Sequence, residues 1–229
     1  MKIGPQNKNR RGSVMIEFVL VSGFFWVPLI FLMATVGFRV IRSMEVIEVA
    51  NDVSQMFAQG VDFSTAGNQA LLTGTIASAL GIQGNGANTV TGGGSGNMAI
   101  VLSQYFYVNS SDPSCGACAN AGHVVLERRI IVGNQNLIGT QGAPNSVGTI
   151  PSSYLNTTTG TCETADNNLP PSTTCQYTNT HIQVSTSSFN TIMTNLPTNA
   201  GGNIGGTVYF VEAYFTDVTG RMIYQRSID

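Results

Sequence analysis

FVLVSGFFWVPLIFLMATVGF, residues Phe18–Phe38, contains no charged side chain. A helix that crosses a bilayer needs about 20 predominantly apolar residues at 1.5 Å rise each. The run meets that length, and the reading of the rest of the chain depends on it. A secretory signal has an apolar region of only about 7–15 residues, followed by a small-residue cleavage pattern. Arg39, Arg42, Glu45 and Glu48 follow here instead, so the run is expected to remain as a single anchor. Pro28 lies mid-run, where a missing backbone donor predicts a kink or loosening of the helix. Gly23 and Gly37 are small residues of the kind membrane helices use for close packing.

Upstream of the run the chain is short and basic. Lys2, Lys8, Arg10 and Arg11 precede any acidic residue, the first of which is Glu17. The far flank holds two arginines offset by nearby glutamates. An excess of Lys and Arg marks the cytoplasmic side. The N-terminus is therefore expected inside and the long C-terminal part exported. Glu17 stands at the edge of the run. A carboxylate entering hydrocarbon costs several kcal/mol unless it is paired or held at the interface.

Arg10-Arg11-Gly12-Ser13-Val14-Met15-Ile16-Glu17-Phe18 resembles a type IV prepilin processing site. In that family a short basic leader ends in Gly, the fifth mature residue is Glu, and an unbroken apolar helix follows. Gly12 matches the residue before the cut, Ser13 the new N-terminus, and Glu17 mature position five. The string RGSVMIEFVLV is most similar to the TadE-like subunits of tight-adherence (Flp-type) pili. Those subunits often carry a Pro soon after the Glu-Phe pair, whereas this chain has Gly23 there and Pro28 later.

The resemblance implies a minor pilin or pseudopilin. Its partners would be the inner membrane, a prepilin peptidase and other pilus subunits. Its C-terminal domain would be periplasmic or extracellular. It also implies a role for Glu17, beside Phe18: to neutralise the Ser13 ammonium of a neighbouring subunit. The rival reading is a membrane-anchored extracytoplasmic binding module or adhesin that never polymerises.

Past the membrane the pattern becomes amphipathic. Val46, Val49 or Ala50, Val53 and Phe57 recur at helical spacing, with Glu45, Glu48, Asp52 and Gln55 between them. One helix is expected from Val14 to Gln59, stopped by Gly60, its second half packing on the exported domain. A shorter helix is expected over Thr65–Leu80, capped by Ser64 and ended by Gly81. GIQGNGANTVTGGGSGN (Gly81–Asn97) reads as a loop. No strand feeds it and no helix follows, so a phosphate-binding loop is rejected.

Strands are expected at Met98–Val108, His123–Val132, His181–Ser185 and Gly206–Asp217. Arg221–Ile228 would pair with the last of these through a turn at Val218-Thr219-Gly220. Ser187–Asn195 reads as a short helix. The predicted fold class is α+β, a long N-terminal helix on an antiparallel sheet with long loops. Its parts are a leader (residues 1–12), a transmembrane and extended helix (13–60) and an exported domain (61–229).

All four cysteines, Cys115, Cys118, Cys162 and Cys175, fall on the exported side, where disulfides form and persist. The expected pairs are Cys162–Cys175 and Cys115–Cys118, each closing a local, bendable segment. The first would contribute roughly 3 kcal/mol by the loop-entropy account. A redox CxxC and a zinc site are weaker readings. Cys115-Gly-Ala-Cys118 sits in a loop rather than at the start of a βαβ helix, and a second CxxC is lacking.

Net charge is −2 and only 10% of residues are charged, which argues against nucleic acid as a partner. His123 and His181 border strands and read as surface residues, and no G-x-S-x-G elbow occurs. Glu127 beside Arg128 and Arg129 reads as a surface ion pair. The expectation is a protein with no catalytic residues, no metal, no cofactor and no small-molecule substrate.

Overall fold

The computed structural model describes residues 10–83, 95–110, 118–138, 155–156, 158–162, 180–184, 207–217 and 220–228. It divides into two compact units, one up to Met44 and one from Glu45 onward. The fold class is α+β: a long N-terminal apolar helix with an antiparallel sheet packed on its C-terminal part.

Helix α1 covers Arg10–Ala58, with Pro28 inside it. It begins four residues earlier than the sequence pattern suggests and ends one turn-residue short of Gln59. In the first unit its side chains are exposed almost throughout, Phe18 to 71% and Phe24 to 88%. Among the described residues this is the helix long and apolar enough to cross a membrane. Among the described residues no other element of its own unit covers it, and an apolar medium is the solvent such a surface fits.

From Glu45 the same helix belongs to the second unit, and its apolar residues narrow to a stripe. Val46, Val49, Ala50, Val53 and Phe57 are buried in one cluster with Met98, Ile100, Leu102, Ile130, Val132, Val211, Ala213 and Phe215. These sheet residues recur at every second position, which places them on one face of their strands. Phe57 meets the Tyr209 ring edge-on, with centroids 5.1 Å apart, a preferred aromatic geometry. Gly60, at φ 88°, ends the helix through a left-handed turn, its amide bonded to the Phe57 carbonyl at 3.0 Å.

The expected second helix is broken into three pieces: an α-turn α2 (Ala66–Leu71), a π-turn over Leu72–Ile76 and a 3₁₀ turn over Ser78–Leu80. The sequence there, LTGTI, places Gly74 between two threonines, residues that hold a helix weakly. The cap is Thr65 rather than Ser64. Thr65 Oγ accepts from the Asn68 amide, while the Ser64 hydroxyl is engaged with Asp62.

Two short strands, β1 (Ile82–Gln83) and β2 (Ser95–Gly96), pair at the base of the Gly/Asn-rich segment. The residues between them lie outside the described set. Gly96 is at φ 98°, and a Cβ there would meet the Gly81 carbonyl oxygen at 2.0 Å.

The main sheet holds β3 (Met98–Tyr107), β4 (Val124–Gly133), β5 (Thr207–Asp217) and β6 (Gly220–Ile228), in the order β4-β3-β5-β6, all antiparallel. Strand β3 is central and buried on both faces from Met98 to Ser103, which explains its unbroken apolar reading. The β5–β6 hairpin forms as expected, with β6 starting at Gly220; Val218 and Thr219 lie outside the described residues. The expected strand at His181–Ser185 is instead a 3₁₀ turn over Thr180–Ile182 followed by a single bridge, Gln183 to Val125. Ser187–Asn195 lies outside the described residues.

The free edge of β4 is closed by isolated backbone contacts. Val184 N donates to Val124 O, Cys162 N to Glu127 O and Arg129 N to Gly160 O, each at 2.8 Å. Gly160, at φ 71°, permits this approach, since a Cβ there would lie 2.0 Å from the Arg129 carbonyl oxygen. Covered edges resist pairing with other chains.

Candidate functional site

The residues expected to act lie at the start of α1. Gly12 and Ser13 fall in its first turn, where four backbone N–H groups lack intrahelical partners and the helix frays. Glu17 follows Ser13 by four residues, one turn along the same face. Glu17 is exposed, and Phe18 beside it is 71% exposed. This places a carboxylate where the uncharged run begins, on the surface of its own unit.

The second unit holds two polar clusters that sequence reasoning merged into one. Adjacent residues of a strand point to opposite faces, so Arg128 and Arg129 separate. Arg128 turns toward the chain that leaves α1. Its Nη2 pairs with Asp62 Oδ1 and donates to Ser64 Oγ at 3.1 Å, and its Nε donates to Thr159 O at 2.9 Å. Burial alone would raise the Asp62 carboxyl. Hydrogen bonds from the Ser64 hydroxyl and amide, with the Arg128 guanidinium, outweigh it and hold the group below its usual range.

Glu127 is not the partner of Arg128. The register passes from Gln104↔Arg128 to Tyr105↔Leu126, leaving Glu127 as the extra residue of a β-bulge. Its Oε2 accepts from Gln104 Nε2 at 2.8 Å. Burial pushes its carboxyl up, and the Gln104 bond and the Arg128 charge offset this only in part. The expected Glu127 ion pair is thus replaced by Asp62–Arg128, because the bulge re-aims the strand.

Arg129 goes under the opposite face and is 3% exposed, with Ser103, Tyr105 and Glu212 fully buried on the sheet. Tyr214 Oη donates to Glu212 Oε1 at 3.4 Å. Burial pushes the Tyr105 phenol up; the Arg129 charge opposes this and the Glu212 charge adds to it. The legible signal was the two consecutive arginines in a strand, one of which must face inward.

Cys118 and Cys162 both pack against a second apolar cluster that includes Tyr105, Val124, Leu126, Ile182 and Phe210. Neither is a free thiol. Cys115 and Cys175 lie outside the described residues, as do both expected pairings. His123 is exposed just before β4, and His181 falls in the Thr180–Ile182 turn. Among the described residues no group of three His, Cys, Asp or Glu side chains converges as metal ligands would. Comparison with known proteins finds no matching family, no matching characterised protein and no matching solved structure.

Proposed function

We propose that this chain is a minor pilin or pseudopilin of the tight-adherence type. In this reading it is anchored in the bacterial inner membrane, processed after Gly12 and taken into, or used to prime, a pilus-like filament. The observation that carries the reading is the order of parts along one helix. A basic leader runs into Gly12-Ser13, a carboxylate stands one turn later, an uncharged membrane-length run follows, and an amphipathic half packs on an antiparallel sheet. The leader holds the N-terminus in the cytoplasm and the sheet unit is exported. After cleavage the Ser13 ammonium meets Glu17 of a neighbouring subunit in low dielectric. A charge pair there offsets the cost of either charge alone. The protein works by assembly rather than by catalysis. It needs no cofactor, and its partners are the peptidase and other pilus subunits.

The test is the mature N-terminus. In a cell that has a prepilin peptidase, mass spectrometry is expected to find Ser13 as the first residue. Gly12→Leu should abolish the cut, because the protease must approach a backbone that a side chain would obstruct. Glu17→Ala should be cut normally and lose co-assembly. A wild-type chain that keeps Met1 in such a cell would sink the reading and favour the anchored binding module.

A further inference from the structure

The outer side of β4 is covered in part by a small hairpin. Leu155 bridges Cys162 in antiparallel sense. Asn156 N donates to Thr161 O at 2.7 Å, and Gly160 N to Asn156 O at 2.9 Å. Asn156 Oδ1 accepts from the Thr158 and Thr159 amides at 2.8 and 2.9 Å, a side-chain turn that fixes the corner. The hairpin meets β4 through Arg129 N to Gly160 O, Cys162 N to Glu127 O, and a bridge between Thr161 and Arg128. So small a hairpin does not hold itself, since an isolated two-stranded hairpin is marginal in water. It buries one large apolar side chain, Leu155, in the cluster with Val124, Leu126 and Ile182. Its covalent anchor is Cys162, which packs against the same cluster and is disulfide-bonded. The cluster between α1 and the sheet, built on Val53, Phe57, Ile100 and Leu102, contains no cysteine among the described residues. Burial therefore holds one side of the unit, and a cross-link contributes to the other.

We propose that the disulfide at Cys162 is a redox-sensitive latch on the β4 edge. Oxidised, it keeps the hairpin on the strand; reduced, it releases the hairpin while the core between α1 and the sheet stays folded. The step is thiol–disulfide exchange with a dithiol. The dithiol gives up two electrons and two protons and its sulfurs join in a new S–S bond. Cys162 and the cysteine bonded to it become thiols. Release restores chain freedom that the cross-link had removed, and the burial of Leu155 alone has to oppose it. It also uncovers the Arg129 N–H and the Glu127 C=O, outward groups of an edge strand. A row of such groups is the template on which an extended strand from another chain adds. The inference does not depend on the pilin reading.

The experiment measures amide hydrogen exchange of the full-length protein in detergent micelles, before and after dithiothreitol under native conditions. Exchange at Arg129, Asn156 and Gly160 should rise on the order of a hundredfold, the size expected when a loop of about fifteen residues is no longer closed. Exchange at Ile100, Leu102 and Val211 should not change. Cys162→Ser should show the same pattern without reductant. Gly160→Ala, whose Cβ would lie 2.0 Å from the Arg129 carbonyl oxygen, should speed exchange at Arg129 with the bond intact, which shows that this amide reads the hairpin. Unchanged exchange at Arg129 after reduction, in Cys162→Ser or in Gly160→Ala overturns the latch. So does equal loosening at Ile100 and Leu102, which would make the bond a support of the whole unit, and so does alkylation of Cys162 in the native protein without reductant.

Discussion

Two halves of one helix present different surfaces. From Phe18 to Phe38 the side chains of α1 are uncharged on every side and exposed nearly throughout; from Val46 to Phe57 they are apolar on one side and buried there. Backbone and hydrogen bonding are continuous across the change, so helix propensity does not distinguish the halves. The surroundings do. A helix that is apolar all round suits an apolar medium, whereas a stripe suits one packed neighbour and water elsewhere. The break falls at Met44 and Glu45, just past the arginines that end the uncharged run. Two lengths of one element thus present different surfaces, one apolar all round and one apolar along a stripe.

The same substitution in each half tests that division most directly. Phe57→Ala removes a side chain that is 2% exposed. Its ring meets that of Tyr209 edge-on, and its loss should destabilise the sheet unit by about 3–5 kcal/mol, as large-to-small core changes do. Phe24→Ala removes a side chain that is 88% exposed. It should leave the melting temperature of that unit in detergent unchanged. Equal losses for the two would erase the distinction between the halves. A loss of assembly with Phe24→Ala alone would sharpen it.

A smaller effect is expected inside the folded unit, where the sheet is tied to β1. Gly133, at φ 98°, ends β4, and a Cβ there would meet the Met98 carbonyl oxygen at 2.4 Å and the Ile82 side chain at 2.9 Å. Gly133→Ala should cost about 1–3 kcal/mol through strain. Amide hydrogen exchange should show the loosening first near Ile82 and Asn97. Uniform loosening of the whole sheet would mean that this corner is not a separate anchor.

How much could be read without coordinates follows from periodicity. The uncharged run, the amphipathic continuation, the central strand and the last hairpin each carry a period or a length that only one kind of element satisfies. The region Thr65–Leu80 was misread as one helix because Thr73, Gly74 and Thr75 fit the stripe by position yet hold a helix poorly. The bulge at Glu127 was invisible, since nothing in HVVLERRIIV marks an extra residue. There Gln104 holds Glu127 while Asp62 holds Arg128, the next side chain of the same strand. At the head of α1, the spacing of Gly12, Ser13 and Glu17 was legible as a pattern, while the arrangement around Arg129 required knowing which face of β4 the loops cover.

The smallest predicted effect concerns acid, and there the two carboxyls beside Arg128 act in opposite senses. The Asp62 pKa is lowered in the folded protein. Its stabilisation is therefore present above the unfolded value and is lost as pH falls through the folded one. The Asp62 side chain is 44% exposed, so screening limits its worth to about 1 kcal/mol at neutral pH. Asp62→Asn should lower the melting temperature near pH 7, and the difference should narrow as acid protonates wild-type Asp62, whose carboxyl is held below its ordinary range. The Glu127 pKa is raised. Its favourable contribution is full below the unfolded value and is lost as pH rises through the folded one, so the ionised group is a burden at neutral pH. Glu127→Gln should stabilise the unit by a few tenths of a kcal/mol near pH 7 and do nothing near pH 3. Melting curves of wild type and both variants at the two pH values separate the effects. If Asp62→Asn were as costly at pH 3 as at pH 7, the link from α1 to β4 would rest on hydrogen bonding and packing, and the ion pair would contribute nothing of its own.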